Sequence, residues 1–167
     1  MKLFLIGLPG SGKSTLGKQL AEQLELPFID LDDAIEAEAK QPIREIFAQQ
    51  GEDYFRSLEQ KTLVDTISQK SDFVMATGGG APCFFDNMYH MNQAGTTIFM
   101  DIPVEVITER MEKEGVAVRP LLHELDTDNF ANAYYHKFAH RLPYYRQAKL
   151  IVTAEDDLDS ILDQLKS

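Results

Sequence analysis

The sequence has few of the features that mark secreted, disulfide-bonded or membrane-spanning proteins. Its only cysteine is Cys83, which excludes an internal disulfide and a cysteine-rich metal site. No apolar run approaches the ~20 residues that are needed to span a bilayer. The first residues also lack the apolar stretch and the small-residue cleavage site of a signal peptide. We therefore expect a cytoplasmic protein without a membrane partner.

Positive charge is also scarce. Sixteen lysines and arginines face 27 aspartates and glutamates, which gives a formal net charge of −11. This balance disfavours a general nucleic-acid-binding surface, because such a surface depends on a basic patch. An anionic substrate would need local positive charge against this background, so the positions of the arginines are informative. The six arginines are Arg44, Arg56, Arg110, Arg119, Arg141 and Arg146.

The length and the pattern of apolar residues favour a single α/β domain over residues 1–167. Short apolar segments alternate with helical patterns, which predicts a parallel sheet with helices on both faces. The five predicted strands are Leu3–Ile6, Pro27–Asp30, Phe73–Thr77, Thr96–Asp101 and Leu150–Thr153. In such a fold, ligands bind at the carboxyl ends of the strands.

A glycine-rich segment after the first predicted strand is the strongest functional signal. Residues 7–14 read Gly-Leu-Pro-Gly-Ser-Gly-Lys-Ser and fit the pattern G-x-x-x-x-G-K-[ST]. Glycines let the backbone approach phosphates closely, and a helix N-terminus adds partial positive charge. Lys13 can then reach the β- and γ-phosphates, and Ser14 can hold Mg²⁺. The predicted nucleotide-binding residues of this loop are Gly10, Ser11, Gly12, Lys13, Ser14 and Thr15.

Two carboxylates follow the second predicted strand. Asp30 and Asp32 are two residues apart, so at a strand end they project to the same side. One could hold the hydrated Mg²⁺ while the other accepts a proton from an acceptor hydroxyl. In the alternative interpretation these acids are solvated, and Asp32 or Asp33 caps a helix over Ala34–Ala39. The residue pattern alone leaves both interpretations open.

Two later segments depart from regular secondary structure. Three consecutive glycines, Gly78–Gly80, follow the third predicted strand. Because glycine carries an entropy cost on folding, we interpret the run as backbone that approaches a ligand, with a tight turn as the alternative. Residues from about 115 to 127 lack helical periodicity and are predicted to form a lid. Arg119 lies within this segment and could reach the transferring phosphoryl group when the lid closes.

Two arginines are candidates for binding an acidic acceptor. Arg56 and Glu59 are three residues apart on one face of a predicted helix over Glu52–Ser68, and Arg141 lies near the end of a later helix. A guanidinium binds a carboxylate in bidentate geometry, so two arginines could hold one small acid. Solvated surface arginines are the alternative. We place the acceptor-binding region at about residues 31–60.

Together and in this order, these motifs resemble those of the shikimate kinase family of phosphate-loop kinases, over Lys2–Lys149. The resemblance implies a monomeric cytoplasmic enzyme with a nucleoside monophosphate kinase-like fold and a lid. It also implies transfer of the γ-phosphate of ATP to the 3-hydroxyl of shikimate, with Mg²⁺. The matching features are Gly7–Ser14, Asp30-x-Asp32, Arg56 with Glu59, Gly78–Gly80, Arg119-Pro-Leu-Leu and Arg141-x-x-x-Tyr145.

The same resemblance implies a role for each matched residue. Lys13 would neutralise the phosphates, Ser14 would bind Mg²⁺, and Asp30 would orient the hydration shell of the ion. Asp32 would bind the acceptor hydroxyl and help to remove its proton, and Arg119 would stabilise the transferring group. The residues implied to contact shikimate are Asp32, Arg56, Gly78, Gly79, Gly80 and Arg141, and the residue implied to lie against the adenine is Arg110.

Other functions share part of this pattern. The main alternative is another phosphate-loop kinase, acting on a different small molecule or on a nucleoside monophosphate. A nucleoside monophosphate kinase would need a base-binding pocket and usually has more arginines in its lid than this sequence offers. A nucleotide-binding regulator descended from a kinase would be expected to have lost an acidic or lid residue, but Lys13, Asp32 and Arg119 are all present. Shikimate phosphorylation is therefore the favoured prediction.

Overall fold

The computed structural model describes residues 1–114 and 130–167. The predicted lid and its Arg119 lie outside the described residues. The strands are β1 (Lys2–Ile6), β2 (Phe28–Asp30), β3 (Phe73–Ala76), β4 (Thr96–Asp101) and β5 (Leu150–Thr153). The α-helices are α1 (Lys13–Leu24), α2 (Leu31–Ala39), α3 (Ile43–Gln69), α4 (Asn87–Ala94), α5 (Val104–Glu114), α6 (Phe130–Phe138), α7 (Leu142–Tyr145) and α8 (Leu158–Lys166).

All five strands are parallel and lie in the order β2-β3-β1-β4-β5. The predicted five-stranded parallel sheet is therefore confirmed. Strand β1 is central, and its residues Leu3–Ile6 are all buried, although successive side chains of a strand point to opposite faces. Both faces of the sheet are thus covered, which is the usual setting of an all-parallel sheet.

The register of the central strands aligns the loops that follow them. Leu5 of β1 and Asp30 of β2 both pair with Ala76 of β3. Gly7 lies two residues after Leu5, and Gly78 lies two residues after Ala76. The phosphate loop, the carboxylates and the glycine run therefore emerge side by side at the carboxyl edge of the sheet, where ligands of open α/β folds bind.

The start of α2 differs from the sequence prediction. Asp30, and not Asp32 or Asp33, is the N-cap, and the helix begins at Leu31 instead of Ala34. The physical reason is that β2 ends at Asp30 and passes directly into the helix. The Asp30 side chain can then accept hydrogen bonds from the first free N–H groups of the helix, which is what an N-cap residue does.

Helix α3 is interrupted at Gly51, where the sequence predicts that a helix starting near Pro42 ends before the helix over Glu52–Ser68. It is one element from Ile43 to Gln69, but Gly51 within it has φ 84° and ψ 172°. Glycine adopts a positive φ at little cost, so Gly51 separates two helical segments at the position that the sequence predicts. Arg56 and Glu59 lie in the segment after the kink, and both are buried.

Candidate active site

The segment between β1 and α1 folds into a cradle of backbone N–H groups. Gly10 and Gly12 have positive φ angles of 82° and 97°, which favour glycine. The Lys13 ammonium donates hydrogen bonds to the carbonyls of Gly7 and Leu8, at 2.8 and 2.9 Å. Its charge is therefore held at the N-terminus of α1, where the helix dipole also favours an anion. This loop can bind a chain of phosphates.

The other predicted nucleotide-binding residues surround the same cradle. Ser14 and Thr15 lie in the first turn of α1 and are exposed, whereas Ser11 is buried. Arg110 on α5 reaches the phosphate loop. A Cβ built on Gly12 would lie 3.8 Å from the Nη1 atom of Arg110. The structure thus brings together the residues predicted to contact the nucleotide, apart from the one outside the described ranges.

The carboxylate pair lies next to the phosphate loop. Asp30 Oδ1 accepts hydrogen bonds from the N–H groups of Asp32 and Asp33 at 2.9 and 3.3 Å, and its Oδ2 accepts one from Ser14 Oγ at 3.3 Å. Asp30 is therefore both a helix cap and a neighbour of the loop. Burial and the Asp30 charge raise the pKa of Asp32 to about 6, although the Lys13 charge acts in the opposite direction. Asp32 thus binds a proton more readily than an ordinary aspartate.

The glycine run brings the two arginines of the predicted acceptor site together. A Cβ built on Gly80 would lie 2.5 Å from Arg56 Nη2, and one built on Gly79 would lie 2.9 Å from Arg141 Nη1. Any side chain at either position would displace a guanidinium group, so the close approach of the arginines explains these glycines. Arg56 and Arg141 converge on consecutive peptide units and do not point apart into solvent.

The other end of the glycine run lies against carboxylates. A Cβ built on Gly78 would be 3.1 Å from Asp32 Oδ1 and 3.5 Å from Glu59 Oε2. In the middle of the run, a Cβ on Gly79 would be 3.0 Å from the Pro9 ring of the phosphate loop. A small molecule seated here could place a hydroxyl beside Asp32 and an acidic group beside the arginines.

Arg56 is held in place from several sides. Its Nη1 donates to Glu59 Oε1 at 2.9 Å, and its Nε lies 3.5 Å from Glu52 Oε1. The rings of Phe55 and Phe84 have their centroids 5.1 and 4.2 Å from Arg56 Cζ, within the range of cation–π attraction. These contacts fix the guanidinium plane before any acceptor arrives, which reduces the ordering cost of binding.

Burial gives Glu59 an unusual proton affinity. It raises the pKa of Glu59 from 4.5 to about 7, against the lowering effect of Arg56. Because the folded-state pKa exceeds the unfolded value, the stabilisation from this group is complete below the unfolded pKa and is lost as the pH rises through the folded pKa. The free energy of unfolding of the unmodified chain should fall between about pH 5 and pH 8. In Glu59→Gln this fall should be smaller, by on the order of 1–3 kcal/mol. Urea unfolding at the two pH values measures this difference.

Glu52→Gln is the matched control for this experiment. Glu52 lies on the same helix and faces the same arginine, but its side chain is 55% exposed, compared with 1% for Glu59. The control should have the same pH dependence of unfolding as the unmodified chain. If Glu59→Gln also keeps that dependence unchanged, Glu59 does not have the raised pKa.

Several side chains that shape the site were not predicted from the sequence. Phe84 and Phe138 pack on the guanidinium groups of the two acceptor-site arginines, at 4.2 and 4.7 Å. Tyr134 and Tyr145 donate hydrogen bonds to carbonyls of the two glycine-rich loops. Phe130, Tyr134 and Phe138 share a four-residue spacing that indicates only a core-facing helix side. The sequence analysis includes Tyr145 in the motif Arg141-x-x-x-Tyr145, but it assigns no role to this tyrosine.

Comparison with known proteins gives consistent results for family and fold. The family model described as shikimate kinase matches residues 9–166. A shikimate kinase of Bacteroides fragilis is 42% identical over 155 residues, which cover 93% of this chain and 86% of that protein. A shikimate kinase of Azobacteroides pseudotrichonymphae is 38% identical over 169 residues, covering 98% of this chain and 99% of that protein.

Solved structures show the same similarity in three dimensions. The crystal structure of a Bacteroides thetaiotaomicron shikimate kinase has a TM-score of 0.86 at 35% identity and covers 99% of this chain and 96% of that one. An Acinetobacter baumannii shikimate kinase, solved in complex with shikimate, has a TM-score of 0.81 at 32% identity, with coverage of 98% and 88%. A Sinorhizobium meliloti gluconokinase has a TM-score of 0.57 at 15% identity, so it shares the fold alone.

Proposed function

This chain belongs to the shikimate kinase family, and from that premise we propose that it transfers the γ-phosphate of ATP to the 3-hydroxyl of shikimate. The products are shikimate 3-phosphate and ADP. One observation carries the choice of acceptor: two guanidinium groups and the Asp32 carboxylate border a single glycine run beside the phosphate loop. Shikimate presents a carboxylate on one side of a small ring and hydroxyls on the other, which matches this arrangement.

At the acceptor end, Arg56 and Arg141 would hold the shikimate carboxylate in charge-assisted hydrogen bonds. The backbone of Gly78–Gly80 would support the ring hydroxyls. Asp32 would accept a hydrogen bond from the 3-hydroxyl and take its proton while the oxygen forms its bond to phosphorus. The bond from phosphorus to the ADP oxygen breaks in the same step, with the attacking and leaving oxygens roughly in line.

At the donor end, the loop N–H groups and Lys13 would neutralise the β- and γ-phosphates of ATP. Arg110, at the edge of the loop on α5, would pack against the adenine. Arg119 would stabilise the charge on the transferring phosphoryl group, a role that rests on its sequence motif. The loop residues proposed to contact the nucleotide are Gly10, Ser11, Gly12, Lys13, Ser14 and Thr15.

Ser14 at the start of α1 and Asp30 at the end of β2 fit a magnesium ion. Ser14 Oγ and Asp30 Oδ2 lie 3.3 Å apart, and oxygen atoms are the ligands that Mg²⁺ prefers. Mg²⁺ usually keeps several waters and takes only one or two protein ligands in addition to substrate phosphates. Ser14 would bind the ion directly, and Asp30 would hold its hydration shell. When bound, the ion neutralises part of the charge on the β- and γ-phosphates.

We propose further that the chain acts as a monomer in the cytoplasm, without nucleic acid or a membrane as partner. The formal charge of −11 supports the absence of a nucleic-acid partner, because it opposes attraction to phosphates outside a localised site. In the described part of the chain, no helix has the length and apolar character needed to cross a bilayer.

Turnover with different acceptors tests the proposed reaction. We expect kcat/KM for shikimate to exceed the values for gluconate and AMP by at least about a thousandfold, because neither of these acceptors can place an acidic group at the arginines and a reacting hydroxyl at Asp32 in the geometry of a shikimate ring. ADP release in the presence of ATP and Mg²⁺ measures all three acceptors side by side. Equal or better turnover of gluconate or AMP would overturn the assignment, and ATP binding without acceptor-dependent turnover would favour a regulator.

A further inference from the structure

Two buried tyrosines lie behind the two glycine-rich loops of the site. Tyr134 on α6 and Tyr145 on α7 are both 0% exposed. The Tyr134 hydroxyl donates a hydrogen bond to the carbonyl of Pro9 in the phosphate loop. The Tyr145 hydroxyl donates one to the carbonyl of Gly79 in the glycine run. Each loop is therefore held at its backbone by one tyrosine.

The geometry of the peptide unit gives these hydrogen bonds a consequence on the far side of each loop. A carbonyl and the N–H that follows it lie in one plane and point in opposite directions. A fixed Pro9 carbonyl therefore fixes the direction of the Gly10 N–H, and a fixed Gly79 carbonyl fixes that of the Gly80 N–H. Within the described residues, neither N–H donates to another protein group.

We propose that Tyr134 and Tyr145 are positioning residues, one for each substrate. Tyr134 orients the Gly10 N–H towards the phosphates of the nucleotide, and Tyr145 orients the Gly80 N–H towards the acceptor. The acceptor half of this inference rests on the proposed function, whereas the nucleotide half rests on the phosphate loop alone. Neither tyrosine contacts the reacting atoms in this arrangement, so both act through the backbone.

The phosphate loop shows how the tyrosine completes an existing pattern. The Lys13 ammonium holds the carbonyls of Gly7 and Leu8, at 2.8 and 2.9 Å, and Tyr134 holds the next carbonyl, that of Pro9. Because Pro9 has no N–H, the groups directed to the opposite side are the N–H of Leu8, after the Gly7 carbonyl, and the N–H of Gly10, after the Pro9 carbonyl. Backbone N–H groups of a turn that point to one side contribute to an anion-binding concavity.

The tyrosine rings are themselves fixed by packing. Tyr134 lies between Phe130 and Phe138, with ring centroids 6.4 and 4.8 Å away, and Tyr145 packs on Phe99 at 5.3 Å. Burial also raises the pKa of Tyr145, so its hydroxyl remains a protonated donor at physiological pH. Each hydroxyl therefore reaches its carbonyl from a fixed direction and constrains the loop.

Removing the hydroxyl alone tests the proposal. Tyr134→Phe should raise KM for ATP by about three- to tenfold and leave KM for shikimate within about twofold, because one hydrogen bond that orients a donor is lost. Tyr145→Phe should raise KM for shikimate by a similar factor and leave KM for ATP nearly unchanged. Steady-state kinetics with each substrate varied in turn measure both constants.

The neighbouring tyrosines provide matched controls. Tyr135→Phe and Tyr144→Phe make the same chemical change at side chains that are 48% and 39% exposed, and both should behave as the unmodified chain. A purely structural role would lower the melting temperature and move both KM values together, or move neither. Either pattern in Tyr134→Phe or Tyr145→Phe overturns the proposal.

A second measurement does not depend on the variants. In the unmodified chain, the backbone amide NMR signal of Gly10 should shift when ADP is added, and that of Gly80 should shift when shikimate is added. A signal that does not respond to its ligand overturns that half of the proposal. If shikimate neither binds nor is turned over, the proposed function fails together with the Tyr145 half, whereas ADP alone decides the Tyr134 half.

Discussion

Replacing Asp32 with asparagine should lower kcat by about 10²- to 10⁴-fold, the usual contribution of a positioned general base. Asparagine keeps the size of the side chain and can still hydrogen-bond to the acceptor hydroxyl, but it cannot take up the proton. KM for ATP should change little, because the nucleotide is proposed to lie on the phosphate loop and not against Asp32. Initial rates with saturating ATP and shikimate measure the loss.

Stability separates this loss from damage to the fold. Burial and the Asp30 charge raise the pKa of Asp32 to about 6, so ionised Asp32 is unfavourable in the folded state above that pH. Asp32→Asn should therefore unfold at the same temperature as the unmodified chain or a higher one near neutral pH. Asp33→Asn, an exposed neighbour on the same helix, should keep full activity. A folded Asp32→Asn protein with normal kcat would remove Asp32 from the mechanism.

The sheet and the phosphate loop could be predicted because their signals are local. Leu3–Ile6 lies in a strand that is buried on both faces, so it forms a continuous apolar run in the sequence. The glycine pattern of residues 7–14 is equally local: Gly10 and Gly12 have positive φ angles that most other residues avoid. The family and its fold could be identified because these local signals occur in a fixed order along the chain.

The start of α2 was predicted wrongly because several residues there are good caps. Asp30, Asp32 and Asp33 fall within one helical turn, and aspartate is among the preferred N-cap residues. The choice depends on where β2 ends, and pairing with β3 through Asp30 and Ala76 sets that point. A contact between strands that are distant in sequence therefore decides a boundary that appears local.

The tyrosine hydrogen bonds were beyond sequence reasoning for a similar reason. Tyr134 and its partner Pro9 are 125 residues apart, and Tyr145 and Gly79 are 66 residues apart. Helical periodicity reports only which side of a helix faces the core. The destination of the Tyr134 hydroxyl instead follows from how α6 packs against α5 and reaches the phosphate loop.

The burial of Arg56 was likewise invisible in the sequence, and it produces the second large expected effect. The spacing to Glu59 indicated a shared helix face, but an exposed pair and a buried pair look the same in sequence. Because both side chains are less than a tenth exposed, removal of one partner leaves an uncompensated charge in the interior. Losing one partner of a buried pair typically costs about 3–5 kcal/mol, whereas losing both can cost little.

Arg56→Met should therefore lower the free energy of unfolding by about 3–5 kcal/mol. It should also raise KM for shikimate by about 10- to 100-fold, because a charge-assisted contact to the acceptor is lost. The stability loss should be larger at pH 8 than at pH 6, because Glu59, with a pKa of about 7 even beside Arg56, takes up a proton more readily at the lower pH. Urea unfolding and acceptor-dependent kinetics measure the two effects separately.

The double variant Arg56→Met/Glu59→Gln distinguishes the structural role of Arg56 from its role in binding. Without a buried charge on either side, it should recover most of the stability that the single variant loses. KM for shikimate should stay high, because the lost guanidinium would have paired with the acceptor carboxylate. Arg44→Met, an exposed change earlier on the same helix, should alter neither quantity. Recovery of shikimate affinity together with stability would mean that Arg56 supports the fold and does not bind the acceptor.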